Sequence, residues 1–216
     1  MKKKILIGIL VLLILACIGG YLFRESLLEE AGRFMAPQSE SYADAAILEG
    51  SDYISVGFIE KGKDLLSSGR AKKIFIVIHR IAPAHRPFGI DGDYPNVVRE
   101  KLIHAGLKEE LFKIIVTPIR NPVTLKEAQF AMKEIAAHKI GSAILVSPSF
   151  HTRRSYLAYQ LAANSLNIKI YPLASFTDFN QERWWVDETG WRDFAAESAK
   201  LFYYLLGGHL PLKFSY

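Results

Sequence analysis

Residues 143–155 read AILVSPSFHTRRS, and the prediction of the fold is built outward from this segment. Its first four residues are apolar, too few for a helix, and are followed by serine and proline, which is typical of a buried strand in a parallel sheet. The turn leads into a predicted helix that opens with Phe150, His151, Arg153 and Arg154. Backbone N–H groups at a helix N-terminus favour negative charge, and open α/β sheets bind ligands just past the carboxyl ends of their strands. We therefore expect an anion-binding site here.

Short apolar runs and amphipathic segments alternate on both sides of this stretch. The predicted strands cover residues 44–48, 73–78, 111–116, 143–146 and 168–172. The predicted helices cover residues 57–68, 96–105, 123–138 and 152–165, and a last helix runs from Asp187 or Thr189 to Leu206. This alternation predicts an α/β fold, a three-layer αβα Rossmann-like domain with a mainly parallel five-stranded sheet. Residues 82–94, rich in proline and glycine, predict a long loop of the kind that forms lids or binding loops.

The N-terminal residues predict a membrane anchor. Residues 5–23 form an uncharged run of 19 residues behind Lys2, Lys3 and Lys4. Such a run can cross a bilayer as a helix, and the lysines keep its start on the cytoplasmic side. We expect a single-pass anchor over residues 1–24 in a bacterial inner membrane, an amphipathic stalk and linker over residues 25–42, and one domain over residues 43–216 on the periplasmic or extracellular side. Lipoprotein processing at Cys17 and a cleaved signal are the alternatives, and both also place the domain outside the cytoplasm.

Charge and missing motifs exclude several classes of function. Four of the 27 basic residues flank the apolar run, which leaves 23 basic and 22 acidic residues elsewhere. No basic stripe with interleaved aromatic residues occurs, so we expect no nucleic-acid partner. The sequence has no dinucleotide fingerprint, no Walker loop, no Gly-x-Ser-x-Gly elbow and no metal-ligand spacing, so we predict no metal site and leave the cofactor open.

The strongest candidate residues lie in the opening stretch. His151 and Arg154 are three residues apart and share one face of the predicted helix, whereas Arg153 points about 100° away from Arg154. Arginine can hold a phosphate through two hydrogen bonds, and histidine exchanges protons near neutral pH. Ser147 and Ser149 flank the proline of the turn, and both are candidates for binding the ligand.

Two other strand ends supply candidates on the same rim of the sheet. Glu49 and Asp52 follow the first strand, and His79 and Arg80 end the second. Glu49 is either a base, a ligand of a sugar hydroxyl or a metal, or a helix cap. His79 and Arg80 either contact the ligand or anchor the following loop.

Thr124 and Glu127 have the Thr-x-x-Glu spacing of a capping box ahead of an apolar helix. The structural interpretation is that Thr124 caps this helix. As an alternative, Glu127 pairs with Arg154 and sets its angle.

Several separated motifs resemble the bacterial family of YdcF, SanA and ElyC. They are DAAILEG at residues 44–50, TLKEA at 124–128, LVSPSFHTRR at 145–154, and Glu197, Lys200 and Tyr203 in the last helix. The family pattern of a small hydroxyl residue, Phe-His and an arginine three places on is matched by Ser147, Phe150, His151 and Arg154. The glycine-rich end of the second strand is replaced by His79 and Arg80, which indicates a divergent branch. The resemblance implies a Rossmann-like fold, an N-terminal membrane segment and an envelope-associated role without one common reaction.

Together these features predict an outward-facing domain that binds a phosphate-bearing or anionic envelope metabolite or a lipid-linked precursor. Arg154 and Arg80 are expected to hold the anion, His151 to act as acid and base, and Glu49 to orient the second reactant. If the protein is an enzyme, phosphoryl or glycosyl-phosphate chemistry on a cell-wall precursor fits these residue types. The alternative is a non-catalytic envelope integrity factor that docks a partner protein through the sheet rim or the tryptophan region.

Overall fold

The computed structural model describes residues 2–51, 54–79 and 93–211. Its seven helices in these ranges are α1 Lys2–Leu22, α2 Arg24–Met35, α3 Val56–Ser67, α4 Tyr94–His104, α5 Val123–Ala136, α6 His151–Asn164 and α7 Glu188–Leu206. The strands are β1 Ala45–Ser51, β2 Ile74–His79, β3 Phe112–Thr117, β4 Ser142–Pro148 and β5 Lys169–Ser175. Two short 3₁₀ helices, Glu109–Leu111 and Trp184–Val186, complete the described elements.

The five strands form one parallel sheet in the order β3-β2-β1-β4-β5. In the centre Ile47 pairs with Phe75 on one side and with Leu145 on the other. The chain order reverses between β1 and β4, and the crevice at such a switch point is where open α/β sheets bind ligands. The prediction of a five-stranded, parallel, Rossmann-like α/β domain is confirmed.

Helices cover both faces of the sheet, which explains why its central strands are almost continuously apolar. Every residue of β2 is buried. On one face Leu48, Ile76 and Val146 pack with side chains of α3 and α4. The residues next to these three in each strand point to the other face, where they pack with side chains of α5, α6 and α7. The alternation of side chains along a strand thus builds two cores from one sheet.

The segment predicted as a stalk contains α2, which packs against the domain. Met35 is buried, and the indole Nε1 of Trp184 donates to the carbonyl oxygen of Leu28 at 3.1 Å. A Cβ atom at Gly32 would lie 2.6 Å from the same indole nitrogen, so the close approach of α2 requires a glycine there. The residues after the apolar run are therefore held on the same side of the sheet as α6.

Within the described ranges, no helix combines the length and the apolar character needed to cross a bilayer. The anchor over residues 1–24 stays a prediction from sequence. The predicted binding loop at residues 82–94 lies outside the described residues except for its last two, and Tyr94 already begins α4.

Candidate functional site

The candidate site is a cleft at the carboxyl edge of the sheet. Its volume is about 910 Å³. His79 ends β2, His151 and Arg154 come from the start of α6, and Thr124 comes from the start of α5. Helix α7 closes the opposite wall with Glu197 and its neighbours. Since parallel strands all end at this edge, residues that are far apart in the sequence meet at one opening.

His151 is backed by a buried carboxylate. Nε2 of His151 lies 3.4 Å from Oε1 of Glu49, and the Glu49 side chain is only 1% exposed. The other oxygen, Oε2, accepts hydrogen bonds from Oγ of Ser147 and Oγ of Ser155, each at 2.5 Å. Oε1 has no hydrogen-bond partner among the described residues. Glu49 therefore lies behind the imidazole and does not line the cleft, where it was expected to orient a reactant.

The charges of this pair stabilise each other. Burial opposes ionisation of Glu49, but the positive His151 ring and the two serine hydroxyls lower the pKa of Glu49 to about 2. Burial likewise disfavours a charged His151, but the Glu49 carboxylate raises the pKa of His151 to about 9. Both pKa shifts favour an imidazolium held against a buried carboxylate at neutral pH.

Glu197 of α7 binds the other side of the ring and the neighbouring guanidinium. Its Oε2 lies 3.3 Å from Nδ1 of His151 and accepts from Nε and Nη2 of Arg154 at 3.1 and 2.8 Å. Nη2 of Arg154 also lies 2.9 Å from Nδ1 of His151. Burial opposes the charge of Glu197, but hydrogen bonding and attraction from His151 and Arg154 hold its pKa well below the usual range.

Arg154 is held on its remaining side by Thr124, whose hydroxyl accepts from Nη1. The capping-box prediction is wrong, because α5 begins at Val123 and Thr124 is already inside the helix. The backbone N–H of Thr124 donates to the hydroxyl of Tyr204 at 3.0 Å. With Glu197 and Thr124 binding all three nitrogen atoms, Arg154 mainly positions the wall of the cleft.

A second histidine–glutamate pair lies beside the first. Nε2 of His79 is 2.7 Å from Oε2 of Glu127, and both side chains are buried. Burial, with repulsion from Glu49, raises the pKa of Glu127 to about 7 against the attraction of His79. The alternative that Glu127 pairs with Arg154 is wrong, since Glu197 takes that place.

The other candidates are spread around the site. Arg153 points away from the cleft: its Nε donates to the carbonyl oxygen of Phe34 at 2.5 Å, and its guanidinium carbon lies 4.4 Å from the centre of the Phe34 ring. Ser149 lines the cleft with a positive φ of 37°, and Ser147 is buried under Glu49. Asp52 and Arg80 lie outside the described residues.

Helix α7 supplies the part of the site that sequence reasoning missed. Arg192, Ala196 and Lys200 recur every four residues and line the cleft, with Asp193 and Glu197 in the adjacent row. Glu197 and Lys200 entered the expectations only through the family resemblance, and Arg192 not at all. Their spacing on one helix face was the available signal. It could not be used because nothing in the sequence shows which face of α7 meets the sheet edge.

Fold and site together define a Rossmann-like α/β domain with a histidine–carboxylate cluster at the switch point of its sheet. Within the described ranges, no group of three or more histidine, cysteine, aspartate or glutamate side chains is placed to hold a metal ion. No protein-family model, curated protein or solved structure matches this chain.

Proposed function

We propose that this chain is a membrane-tethered, outward-facing domain whose cleft binds a phosphate-bearing or otherwise anionic metabolite of the bacterial envelope. In this proposal His151 exchanges a proton with the bound molecule. The observation that carries it is the position of His151, a largely buried imidazole that lines a cleft at the switch point with cationic side chains on the facing helix.

The cations available to an anion come from α7. Arg192 is exposed and has no ion-pair partner among the described residues, and the Lys200 side chain is 56% exposed while its Nζ bonds Oε1 of Glu197 at 2.8 Å. Arg154 was expected to hold the anion, but its nitrogen atoms already bind Glu197 and Thr124. The anion contacts are therefore assigned to Arg192, Lys200 and the edge of His151.

The size of the cleft supports a small molecule or the head group of a larger one. Ligand pockets commonly measure about 300–1,000 Å³, and this cleft of about 910 Å³ is at the upper end of that range. It can hold a sugar phosphate or the phosphorylated head of a lipid-linked precursor. The predicted anchor over residues 1–24 and the resemblance to the YdcF, SanA and ElyC family support an envelope substrate, and phosphoryl or glycosyl-phosphate transfer is the chemistry that fits an imidazolium beside a bound phosphate.

Thermal unfolding of the full chain in detergent micelles tests the proposal. The probes are inorganic phosphate, a soluble sugar phosphate and a prenyl phosphate in the micelle, so that free and lipid-linked sources are distinguished. A ligand at about 100 times its Kd stabilises a protein by about 2.7 kcal/mol, or roughly 5–10 °C in Tm at this chain length.

The variant Arg192→Ala/Lys200→Ala should lose this shift. The variant Arg99→Ala/Lys108→Ala removes the same charge from outside the cleft and should keep it. No shift with any probe, or equal shifts in both variants, would refute the proposed anion site.

A second candidate function, docking of a partner protein, is favoured by apolar residues on the outside of α7. Phe202 is 63% exposed and Leu206 is 71% exposed, one turn apart. Trp184, expected in a docking surface, is fully buried and stacks on Phe194 with ring centres 4.3 Å apart. Photocrosslinking from position 202 in membranes would favour docking if one partner is captured equally by the unmodified chain and by His151→Ala, and would count against it if none is captured.

A further inference from the structure

We propose that His79 and Glu127 form the second half of the reaction centre, a general-base pair that lies beside the general-acid pair of His151 and Glu49 at the same cleft. This inference rests on the proposed function and deepens it. It makes the substrate a phosphate ester and the reaction an attack on phosphorus that needs one proton removed and one proton supplied.

The two histidine–glutamate pairs have the same arrangement relative to the cleft. In each pair a histidine from the carboxyl edge of the sheet lines the cleft, and a glutamate lies behind it, away from solvent. His79 is fixed because β2 is buried along its whole length and pairs residue 79 with Thr117 of β3. Glu127 is fixed by the buried face of α5. Structural packing alone does not require two buried ionisable pairs at one opening.

The charges around the two histidines divide the roles. His151 is faced by the carboxyl groups of Glu49 from β1 and of Glu197 and Asp193 from α7, which favour a protonated ring, and by Arg154 of its own helix, whose charge opposes protonation. Glu127 beside His79 is faced by His79 itself and by the charges of Glu49 and His151, and burial keeps its proton until about neutral pH. Once Glu127 has lost that proton, its carboxylate can support proton uptake by His79 while His151 gives a proton up.

Glu49 and Glu127 are both buried behind the histidines, which strengthens the repulsion between their charges. The hydroxyl of Tyr159 is buried there and has no hydrogen-bond partner among the described residues. Burial, together with the charges of Glu127 and Glu49, raises its pKa well above the usual value. Tyr159 thus stays protonated and adds no third charge between the pairs.

The step balances with water as the second reactant. His79 takes a proton from water as its oxygen bonds to phosphorus. The bond between phosphorus and the ester oxygen breaks, and His151 gives that oxygen the proton of Nδ1, the ring nitrogen that otherwise lies 3.3 Å from Oε2 of Glu197. The products are an alcohol and a phosphate, and the two histidines regain their starting states by exchanging one proton with solvent. An acceptor hydroxyl in place of water gives phosphoryl transfer by the same proton movements.

Histidine ring NMR on the full chain in micelles tests the pairing. The chain has six histidines, so ring signals can be assigned with single His→Gln variants. With inorganic phosphate as the probe, both the His79 and the His151 rings should shift. At neutral pH the His151 shifts should report a charged ring and those of His79 a neutral one.

The outcomes separate the two proposals. A shift of His151 alone overturns the role of His79 and leaves the anion site standing, whereas no shift of either ring overturns the proposed function itself. A neutral His151 with a charged His79 overturns the assignment of acid and base.

Hydrolysis of p-nitrophenyl phosphate gives the catalytic readout. General acid–base groups contribute about 100-fold or more to rate, so Glu127→Gln should lower kcat by about 100-fold with KM nearly unchanged. It should also remove the acidic limb of the pH profile, while Glu134→Gln on the same helix should change neither. A wild-type rate equal to that of His79→Gln/His151→Gln overturns the hydrolytic step.

Discussion

Oε2 of Glu197 accepts a hydrogen bond of 2.8 Å from Nη2 of Arg154, and this buried ion pair joins α7 to α6 across the cleft. The two residues are 43 positions apart in the sequence. Their contact brings the cationic face of α7 to the helix that carries His151.

Replacing Arg154 with methionine should destabilise the fold strongly. Glu197 would keep its charge in a buried position without its best partner, and breaking a buried pair in this way costs about 3–5 kcal/mol. Urea unfolding of the full chain in micelles measures the loss. The double variant Arg154→Met/Glu197→Leu should recover much of it, and a single-variant cost below about 1 kcal/mol would show that the pair behaves like an exposed one.

The ionisation of His151 predicts a loss of stability at alkaline pH. Burial disfavours the charged ring, but the Glu49 carboxylate raises its pKa from 6.5 to about 9. The stabilisation is fully present below pH 6.5 and is lost as the pH rises through 9. The free energy of unfolding should therefore fall over this interval in the wild type and in an exposed control, His104→Gln, but much less in His151→Gln. Parallel pH profiles for all three proteins would contradict the assignment.

The raised pKa of Glu127 predicts that the stability of the fold depends on pH below neutral pH. Because burial raises its pKa from 4.5 to about 7, its ionisation is harder in the folded chain than in the unfolded one. Stability is therefore lost as the pH rises from 4.5 through 7. Glu127→Gln removes this loss, so its stability relative to the wild type should increase across the interval. Glu134→Gln, exposed on the same helix, is the control, and a constant difference would contradict the raised pKa.

Substitution of Ser147 tests how far the buried carboxylate of Glu49 depends on its hydroxyl donors. Oγ of Ser147 donates to Oε2 of Glu49, and a hydrogen bond to a charged group contributes about 1.5–3 kcal/mol. Ser147→Ala should lower the unfolding free energy by this amount and shift acid unfolding to higher pH, because Glu49 becomes easier to protonate. Ser165→Ala, at the exposed end of α6, should change little. Equal effects of the two substitutions would argue against a charged Glu49.

Substitution of Gly32 tests how tightly α2 packs against the indole of Trp184. In an exposed helix, alanine is favoured over glycine by about 1 kcal/mol. Here a Cβ atom would lie 2.6 Å from Nε1 and 2.9 Å from Cδ1 of Trp184, so Gly32→Ala should instead cost about 1–3 kcal/mol. Tryptophan fluorescence and urea unfolding measure the change. Ser26→Ala, exposed on α2, is the control, and a stabilised Gly32→Ala would mean that α2 is not packed on the indole.

The order of helices and strands could be predicted because burial leaves a periodic pattern in the sequence. The best amphipathic helix was predicted at residues 123–138 and runs Val123–Ala136. The ends were less accurate, because they depend on hydrogen bonds to neighbouring strands. Strand β1 was predicted to stop at Leu48 but continues to Ser51, where it pairs with Ile78 of β2.

The pairing of polar side chains could not be predicted in the same way. Thr124 and Glu127 have the spacing of a capping box, yet one accepts from Arg154 and the other contacts His79. Local spacing describes only what a helix can do alone. A buried polar group takes the partner that the packed helices bring within reach, and here tertiary contacts replaced the local interaction.

An α/β chain, a parallel sheet and a cluster of chemical groups near the end of the fourth strand could all be predicted from the sequence. Apolar periodicity carries that information because each element must bury one face whatever its neighbours are. The positions of Glu49 behind His151, of Glu197 against Arg154 and of α7 as the facing wall became known only from the packed fold. Those contacts join residues that lie far apart in the sequence, 43 positions in the case of Arg154 and Glu197, and their geometry is set by the packing of layers, which no local pattern records.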